Sequence, residues 1–302
     1  MATLLDFRRR IRSVKNTQQI TRAMKFVAAA RLRRAQEKAL AARPYAAELS
    51  RLLRSIMGRI DQPEHVLLAK RPEERILAIV LTGERGLAGA FNTNILRKAN
   101  EFLRGRRDKK LSLIPVGKKG RDSLKRAGFQ FAAEYVNVLS KVEFSTAREI
   151  AGLVSDLYAK EEIDAVYLIF SEFKTVVTAN LVVEKLLPVE PKEIQEARAE
   201  KSGETAPRKE SEQPESQIDY IYEQPVEKLL ASLLPKYIEA QILRAMLESS
   251  AAEYAARMAA MESATRNAGE VIQALTLHMN KVRQAAITKE IIEIVSGASH
   301  GA

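Results

Sequence analysis

The chain contains no cysteine and only three histidines, and these shortages exclude several kinds of chemistry. Without cysteine there is no disulfide, no thiolate metal site and no cysteine nucleophile. His65, His278 and His300 are far apart in the sequence, so none pairs with another at metal-ligand spacing. The sequence also lacks a Ser-His-Asp elbow, an H-E-x-x-H motif and a paired-carboxylate motif. We therefore expect a noncatalytic chain that holds no metal and no cofactor of its own.

Long apolar runs are also missing. No stretch of about 18 consecutive apolar residues occurs, so the sequence predicts no membrane-spanning helix. At the N-terminus Arg8, Arg9 and Arg10 follow the apolar residues and no apolar segment comes after them. This order does not fit a secretory signal, and the lack of cysteine is compatible with a reducing, intracellular location.

Instead, each end of the chain carries a long helical pattern. Apolar residues separated alternately by four and three positions form the seam of a coiled coil. We expect helices over residues 3–58 and 225–295 that pair as a long antiparallel two-helix coiled coil. The first seam comprises Ala28, Leu32, Ala35, Ala39, Ala42, Ala46, Leu49, Leu53, Ile56 and Ile60. The second comprises Leu247, Ala251, Tyr254, Met258, Met261, Thr265, Ala268, Ile272, Leu275, Met279, Val282 and Ala286.

The middle of the chain alternates between strand and helix patterns, which predicts a small open α/β sheet. Strands are expected at 75–82, 111–116, 164–170 and 175–187, with the last at an edge, and helices at 88–104, 118–127 and 145–160. The sequence therefore divides into an N-terminal coiled-coil helix (1–60), a Rossmann-like α/β domain (74–190), a mobile charged loop (191–217), and a foot segment with the C-terminal coiled-coil helix (218–302).

The excess positive charge lies at the N-terminal end. Residues 1–60 contain 15 of the 49 Lys and Arg residues but only 3 of the 38 Asp and Glu residues, a local net charge of +12. The rest of the chain has 34 basic and 35 acidic residues, a net charge of −1. The N-terminal helix should therefore meet an acidic partner, such as a nucleic acid, an anionic lipid surface or an acidic protein wall.

A glycine-rich turn follows the first predicted strand and opens a helix, which is the context of a phosphate-binding loop. Its glycines Gly83, Gly86 and Gly89 have the spacing G-x-x-G-x-x-G, and no Gly-Lys-Ser/Thr follows. Glu84 stands where phosphate oxygens would crowd. We therefore interpret the segment as a tight turn that packs a helix on its strand.

Three function classes stay open from the residues alone. The first is a thin coiled-coil machine part, the second a basic coiled-coil protein that binds nucleic acid, and the third a nucleotide-binding α/β enzyme with helical arms. Aromatic side chains for base stacking are few on the N-terminal helix, namely Phe7, Phe26 and Tyr45. Phosphate binding needs only charge, so a duplex partner is not excluded.

Several sequence blocks resemble the gamma subunit family of F-type ATP synthases, and the resemblance covers nearly the whole chain. The blocks are residues 10–25, 255–261 and 283–288, together with Arg85-Gly86-Leu87, Gly89 and Asn92 after the first strand.

The resemblance implies a central rotor shaft, present once in each complex. In that family the coiled coil stands inside a ring of three alpha and three beta subunits, while the head and foot rest on the c-subunit ring beside epsilon. Proton flow turns the c ring and the shaft, and the shaft drives the catalytic hexamer through ATP synthesis or hydrolysis. ATP, ADP and magnesium bind alpha and beta, so the resemblance implies no cofactor and no nucleic acid for this chain.

The resemblance also implies contacts with the beta subunit. Met24 and Lys25 match positions that face the acidic lever region of beta. Arg283 and Gln284 match positions that hydrogen-bond a beta-subunit catch loop, and Thr288 lies one turn further on.

Other matching residues concern the ends of the shaft. The resemblance implies an apolar tip that turns in a hydrophobic sleeve, a foot that contacts the c ring and epsilon, and a turn in the head domain. The tip comprises Ile287, Ile291, Ile294 and Val295; the foot comprises Tyr220, Tyr222 and Glu223; the head-domain turn comprises Arg85, Gly86 and Gly89.

Three features compare this chain with other members of the family. His278 stands where the family usually has an aromatic residue, and the chain has no cysteine pair for thiol regulation of the chloroplast kind. No leading transit segment is evident, which favours a bacterial protein. We expect it to be peripheral, on the cytoplasmic face of the plasma membrane.

Overall fold

The computed structural model describes residues 3–57, 65–175, 178–189 and 225–299. In chain order the helices and strands are α1 (Leu4–Met57), a 3-10 turn (Val66–Leu68), β1 (Arg75–Leu81), α2 (Phe91–Arg104), β2 (Lys110–Val116), α3 (Lys118–Arg126), α4 (Phe144–Ala159), β3 (Ala165–Phe173), β4 (Ala179–Leu187) and α5 (Val226–Ser299). The expected loop at 191–217 and the foot residues Tyr220, Tyr222 and Glu223 lie outside the described residues.

The chain forms two compact units, and each is described separately. The helix-pair unit comprises Met1–Ala30 and Arg257–Ala302, and the sheet unit comprises Arg31–Ala256. The long helices α1 and α5 each contribute to both units. The segments 1–60 and 218–302 expected from the sequence follow the helices, whereas the compact units divide each helix.

Helix α1 begins with a reciprocal cap. The Thr3 amide donates to Asp6 Oδ2 (3.0 Å) and the Asp6 amide donates to Thr3 Oγ1 (3.3 Å), so two amide groups at the helix start are satisfied. The hydrogen bonds from Thr3 hold the pKa of Asp6 below its usual value. The helix then continues through Pro44 to Met57.

The predicted antiparallel helix pairing is confirmed. In the helix-pair unit Phe7 meets His278 with ring centroids 5.0 Å apart, and Lys25 meets Glu262. The later residue on α1 therefore contacts the earlier residue on α5, so the two helices run in opposite directions. The described seam positions are all buried or half-buried in their own unit.

The sheet has the strand order β2-β1-β3-β4. Strand β1 pairs in parallel with β2 and β3, whereas β4 pairs antiparallel with β3 and lies at the edge, where the sequence placed it. The connection between β3 and β4 is too short for the crossover that a parallel pair needs, so the chain turns back on itself.

Both faces of the sheet are covered, which explains the continuous apolar run of β1. Alternate β1 residues belong to two separate apolar clusters. Ala78 and Val80 pack with α2, in a cluster with Ile95, Ala99 and Leu103. Leu77, Ile79 and Leu81 belong to a cluster with α4, α1 and α5, whose members include Ile150, Val154, Leu53, Ile56, Leu234 and Ile238.

A buried carboxylate ties the entry of β1 to the start of β3. Asp164 is buried and accepts hydrogen bonds from the Arg75 amide (2.8 Å), Arg75 Nε (3.1 Å) and Arg75 Nη2 (2.7 Å). The hydrogen bonds from the Arg75 side chain outweigh burial and hold the pKa of Asp164 below its usual value. The carboxylate form therefore stabilises the folded chain.

We expect Asp164→Asn to lower the free energy of unfolding at pH 7 by about 2 kcal/mol, because hydrogen bonds to a charged acceptor are lost. The Asp164 contribution is present above the unfolded pKa, near about 4, and disappears as the pH falls through the lower folded pKa. Urea unfolding at several pH values should show the gap between wild type and variant narrowing in acid. Asp122→Asn, which removes an exposed carboxylate beside Arg121, is the matched control and should have a much smaller effect.

Helix α3 begins close against the end of β1. Gly117 has φ +108°, and a Cβ there would lie 2.0 Å from the Thr82 carbonyl oxygen. The Gly120 amide donates to Thr82 Oγ1 (2.7 Å). Only glycine fits at position 117, because both the backbone angle and the space exclude a side chain.

Gly117→Ala should therefore destabilise the chain more than Gly128→Ala. Gly128 also has a positive φ, +81°, but nothing lies within 4 Å of its missing Cβ. The control should lose about 1–2 kcal/mol from the backbone alone, and Gly117→Ala should lose more because it adds a clash with backbone. Equal free energies of unfolding for the two variants would contradict this account of the close approach.

Candidate partner-binding surfaces

The C-terminal part of α5 extends past the start of α1 within the helix-pair unit. Phe7 lies against His278, and α1 begins only three residues before Phe7, at Leu4. Residues of α5 from Arg283 onward therefore have no described α1 residue opposite them. We call this segment, Arg283–Ser299, the tip.

The tip presents both polar and apolar side chains to the solvent. Arg283, Gln284 and Thr288 are exposed, and Thr288 Oγ1 donates to the Gln284 carbonyl oxygen (2.9 Å). The apolar residues Ile287, Ile291 and Ile294 are 48%, 54% and 71% exposed. Val295 lies in the helix, but its side chain is outside the described set.

Burying one exposed isoleucine side chain contributes about 1.5–3 kcal/mol. The row of isoleucines on the tip therefore favours an apolar cover. Ile292, which is 61% exposed, also lies on the tip. It was not predicted from the sequence, because the resemblance implied only Ile287, Ile291, Ile294 and Val295 for the apolar tip.

Between the two helices of the helix-pair unit lies a layer of polar contacts. The hydroxyls of Thr21 and Thr265 are 2.8 Å apart, and Gln18 Nε2 donates to the Thr265 carbonyl oxygen (3.3 Å). A Cβ on Gly269 would lie 3.1 Å from Gln18 Nε2. Small and polar residues thus allow a close approach of the helices here.

Met24 and Lys25 lie next to this layer. Met24 is half-buried. Lys25 Nζ donates to Glu262 Oε1 (2.7 Å), and this hydrogen bond holds the pKa of the Glu262 carboxyl below its usual value. The contacts that the resemblance implies for Met24 and Lys25 on a beta subunit stay predictions.

The outer surfaces of the helix pair expose many large apolar side chains. Only five described side chains of this unit are buried: Phe7, Thr21, Ala28, Met261 and Ala268. Ten large apolar residues are exposed: Leu5, Ile20, Phe26, Val27, Val271, Leu277, Ile287, Ile291, Ile292 and Ile294. Apolar residues that fall off the seam period, such as Ile20, Phe26 and Val27, were the available sequence signal for this surface.

The glycine-rich turn is held by contacts within the sheet unit. The Gly83 amide donates to Asn92 Oδ1 (2.8 Å), and Asn92 Nδ2 donates to the Arg85 carbonyl oxygen (3.4 Å). Glu84 Oε2 accepts from the Lys118 amide at the start of α3 (3.0 Å). This geometry is that of a packed tight turn, since the Gly83 and Lys118 amides already have acceptors and a carboxylate stands beside them.

Arg85, Gly86 and Gly89 are all exposed at this turn. Leu87 is exposed as well and has φ +63°, a conformation that leucine rarely adopts. The turn therefore presents a defined surface outside the core of the sheet unit.

The described histidines have structural surroundings. His65 Nδ1 accepts from the Leu67 amide (3.2 Å) at the start of the 3-10 turn, and burial lowers the pKa of His65. His278 lies on the flank of the helix pair, as its position beside the seam predicts. Within the described residues, no group of three or more His, Cys, Asp and Glu side chains could hold a metal ion. Across the same parts of the chain, no helix combines the length and apolar character needed to cross a membrane.

Solved structures share this fold. The rotor of the mitochondrial ATP synthase of Euglena gracilis, in rotational state 1, aligns with a TM-score of 0.62 at 20% identity, covering 94% of this chain and 98% of that chain. The central stalk/c-ring structure of the Tetrahymena thermophila mitochondrial ATP synthase aligns with a TM-score of 0.58 at 26% identity, covering 81% and 99%.

Sequence comparison gives closer relatives. A family model described as ATP synthase matches residues 3–300. The ATP synthase gamma chain of Solibacter usitatus is 46% identical over 303 residues, with 99% of each chain covered. That of Chloroherpeton thalassium is 45% identical over 305 residues, covering 99% of this chain and 98% of its own. Full-length agreement at this level shows that the chain belongs to the ATP synthase gamma chain family.

Proposed function

We propose that this chain is the central rotor shaft of an F-type proton-translocating ATP synthase, a noncatalytic subunit present once in each complex. It couples rotation of the c-subunit ring to conformational cycling of the alpha and beta subunits, and so to ATP synthesis or hydrolysis. The observation that carries the proposal is the distribution of large apolar side chains over the outside of the helix-pair unit.

These side chains lie on opposite surfaces of the helix pair. On α1, Ile20, Phe26 and Val27 point away from the seam that carries Thr21 and Ala28, and on α5 Leu277 points away from its own seam. A partner with a single groove would cover one of these surfaces and leave the other in water. A partner that encloses the pair covers both, as a ring of alpha and beta subunits would.

The charge of the helix agrees with such an enclosure. Arg8, Arg9, Arg10, Arg12 and Arg22 are all exposed, and residues 1–60 have a net charge of +12. An acidic lining on the ring, including the beta-subunit lever region, would attract this surface.

Rotary coupling requires the shaft to present different surfaces in different directions. Where α1 and α5 pack together the shaft has two helices, and at the tip it has one. Neither arrangement has three-fold symmetry, so the helix-pair unit presents different surfaces in three directions. Each orientation would then stabilise a different conformation of each surrounding beta subunit. Torque is the rate at which this coupling free energy changes with the angle of the shaft.

The tip combines two kinds of contact. Arg283 and Gln284 are exposed donors suited to hydrogen bonds with a beta-subunit catch loop, and Thr288 lies one turn beyond them. Apolar contact is expected from Ile287, Ile291, Ile294 and Val295. Apolar contact has no preferred direction, so it opposes rotation of the shaft only weakly. The first kind holds defined angles and the second acts as a bearing.

The remaining contacts of the proposal concern the head and foot. The exposed turn at Arg85, Gly86 and Gly89 is available to a neighbouring subunit, and Tyr220, Tyr222 and Glu223 would contact the c ring and epsilon. ATP, ADP and magnesium would bind the alpha and beta subunits. We place the complex on the cytoplasmic face of a bacterial plasma membrane, with this chain as a peripheral part. No observation favours the alternative of nucleic acid binding.

The proposal is tested by reconstituting magnesium-ATPase activity from purified alpha and beta subunits and this chain. Arg283→Ala combined with Gln284→Ala should lower kcat by about tenfold or more, because at least one hydrogen bond from a charged donor is lost. The variant chain itself should unfold at the same temperature as wild type, since both residues are exposed.

Arg97→Ala combined with Gln130→Ala removes the same two residue types from exposed positions of the sheet unit, and should leave kcat unchanged. Unchanged turnover in the Arg283 and Gln284 variant would contradict the catch contact. Failure of the wild-type chain to support ATPase activity or to assemble with alpha and beta would contradict the rotor function.

Hydrogen exchange should distinguish the two units in the isolated chain. The few buried side chains of the helix-pair unit give it little apolar stabilisation, so its amides should exchange at least about tenfold faster than those of β1. Assembly with alpha and beta should protect residues 4–30 and 257–299 and leave β1 unchanged. Equal protection of both units in the isolated chain would contradict the inference that a partner supplies the missing burial.

A further inference from the structure

Lys25, which matches a position that faces the acidic lever of beta, already has an acidic partner in its own chain. Its Nζ lies 2.7 Å from Glu262 Oε1, across the two helices of the helix-pair unit. The side chains are 33% and 58% exposed, so both are accessible from outside the unit.

The surroundings of this pair are basic. Arg266, one turn further along α5, also acts on the Glu262 carboxyl and helps to lower its pKa. Arg22, one turn before Lys25 on α1, is exposed. One carboxylate therefore lies among several cations, and the surface stays positive while the charge of Lys25 is partly neutralised.

An exposed ion pair of this kind is readily exchanged. Such pairs contribute little to stability, since two mobile side chains must be held together in a solvent of high dielectric constant. A carboxylate on a partner can thus replace Glu262 beside Lys25 without breaking the helix packing, which rests on Thr21, Ala28, Met261 and Ala268.

We infer that Glu262 is a positioning residue that holds Lys25 within the chain and limits the strength of its contact with an acidic surface of the beta subunit. This inference rests on the proposed function. A rotating shaft must make and release the contact at each beta subunit in turn. Glu262 speeds this release, because Lys25 forms an ion pair with Glu262 as its ion pair with beta is lost.

The inference differs from a simple bracing role, in which the ion pair only joins two helices. A bracing pair works in either orientation, because exposed neighbours such as Arg22 and Arg266 change its strength only slightly. A pair that tunes a contact with an acidic partner works in one orientation only, because exchanging the charges places a carboxylate toward that partner.

The experiment uses the complex reconstituted from alpha, beta and the full chain. Glu262→Gln should lower kcat about two- to fivefold at saturating MgATP, with KM unchanged, because Lys25 is then released more slowly from beta. Raising the ionic strength should reduce the defect, since salt screens exposed charges. Adding Lys25→Gln to Glu262→Gln should restore kcat.

Glu37→Gln, which removes the carboxylate of the exposed Arg33–Glu37 pair (3.1 Å) on α1, is the matched control and should leave kcat unchanged. The exchanged variant, Lys25→Glu with Glu262→Lys, keeps an ion pair and should keep the thermal stability of the isolated chain. In the complex it should show lower activity than wild type.

Wild-type activity of the exchanged variant would overturn the inference and establish bracing alone. A Glu262→Gln variant that behaves like Glu37→Gln would also overturn it. If the wild-type chain fails to assemble with alpha and beta, the proposed function fails instead, so the two failures are distinguishable.

Discussion

Close packing of two antiparallel helices along one seam is the constraint on which the rest of the structure depends. In the sheet unit the seam residues Leu53 and Ile56 of α1 share an apolar cluster with Leu77 and Ile79 of β1, so the helices form part of a globular core. In the helix-pair unit the seam includes small and polar residues such as Ala28, Thr21 and Thr265, and Phe7 and Met261 are the only large apolar side chains buried among the described residues. One sequence rule thus produces a unit with an extensive apolar core and a unit with few buried side chains.

This difference relates directly to function. Side chains that would enlarge a core, such as Phe26, Leu277 and Ile291, are placed on the outside of the helix-pair unit. The chain therefore leaves part of its apolar burial to be completed by a partner. Two independent observations support the same role. One is family membership, and the other is the exposure of apolar side chains on opposite surfaces of the helix pair.

The sequence was sufficient for the fold class because its periods were long and unmixed. The alternation of strands and helices and the edge position of β4 follow from patterns within single segments. The antiparallel sense of β4 and the reciprocal cap of Thr3 and Asp6 were not predicted. Lys25 and Glu262 are 237 positions apart, and their contact requires the register of two helices, which no local pattern contains. The interpretation of the turn at Gly83 as one that packs a helix on its strand agrees with the hydrogen bond from the Gly83 amide to Asn92 of α2.

The paired hydroxyls of Thr21 and Thr265 also fix how far α5 projects. If α5 slipped by one helical turn, about 5.4 Å, the hydrogen bond between the two hydroxyls would be lost. Such a slip would also raise or lower Arg283 by the same distance relative to the first turn of α1. The hydrogen bond between these two hydroxyls thus favours one register of the two helices. That register determines how far the C-terminal end of α5 projects beyond α1 toward a partner.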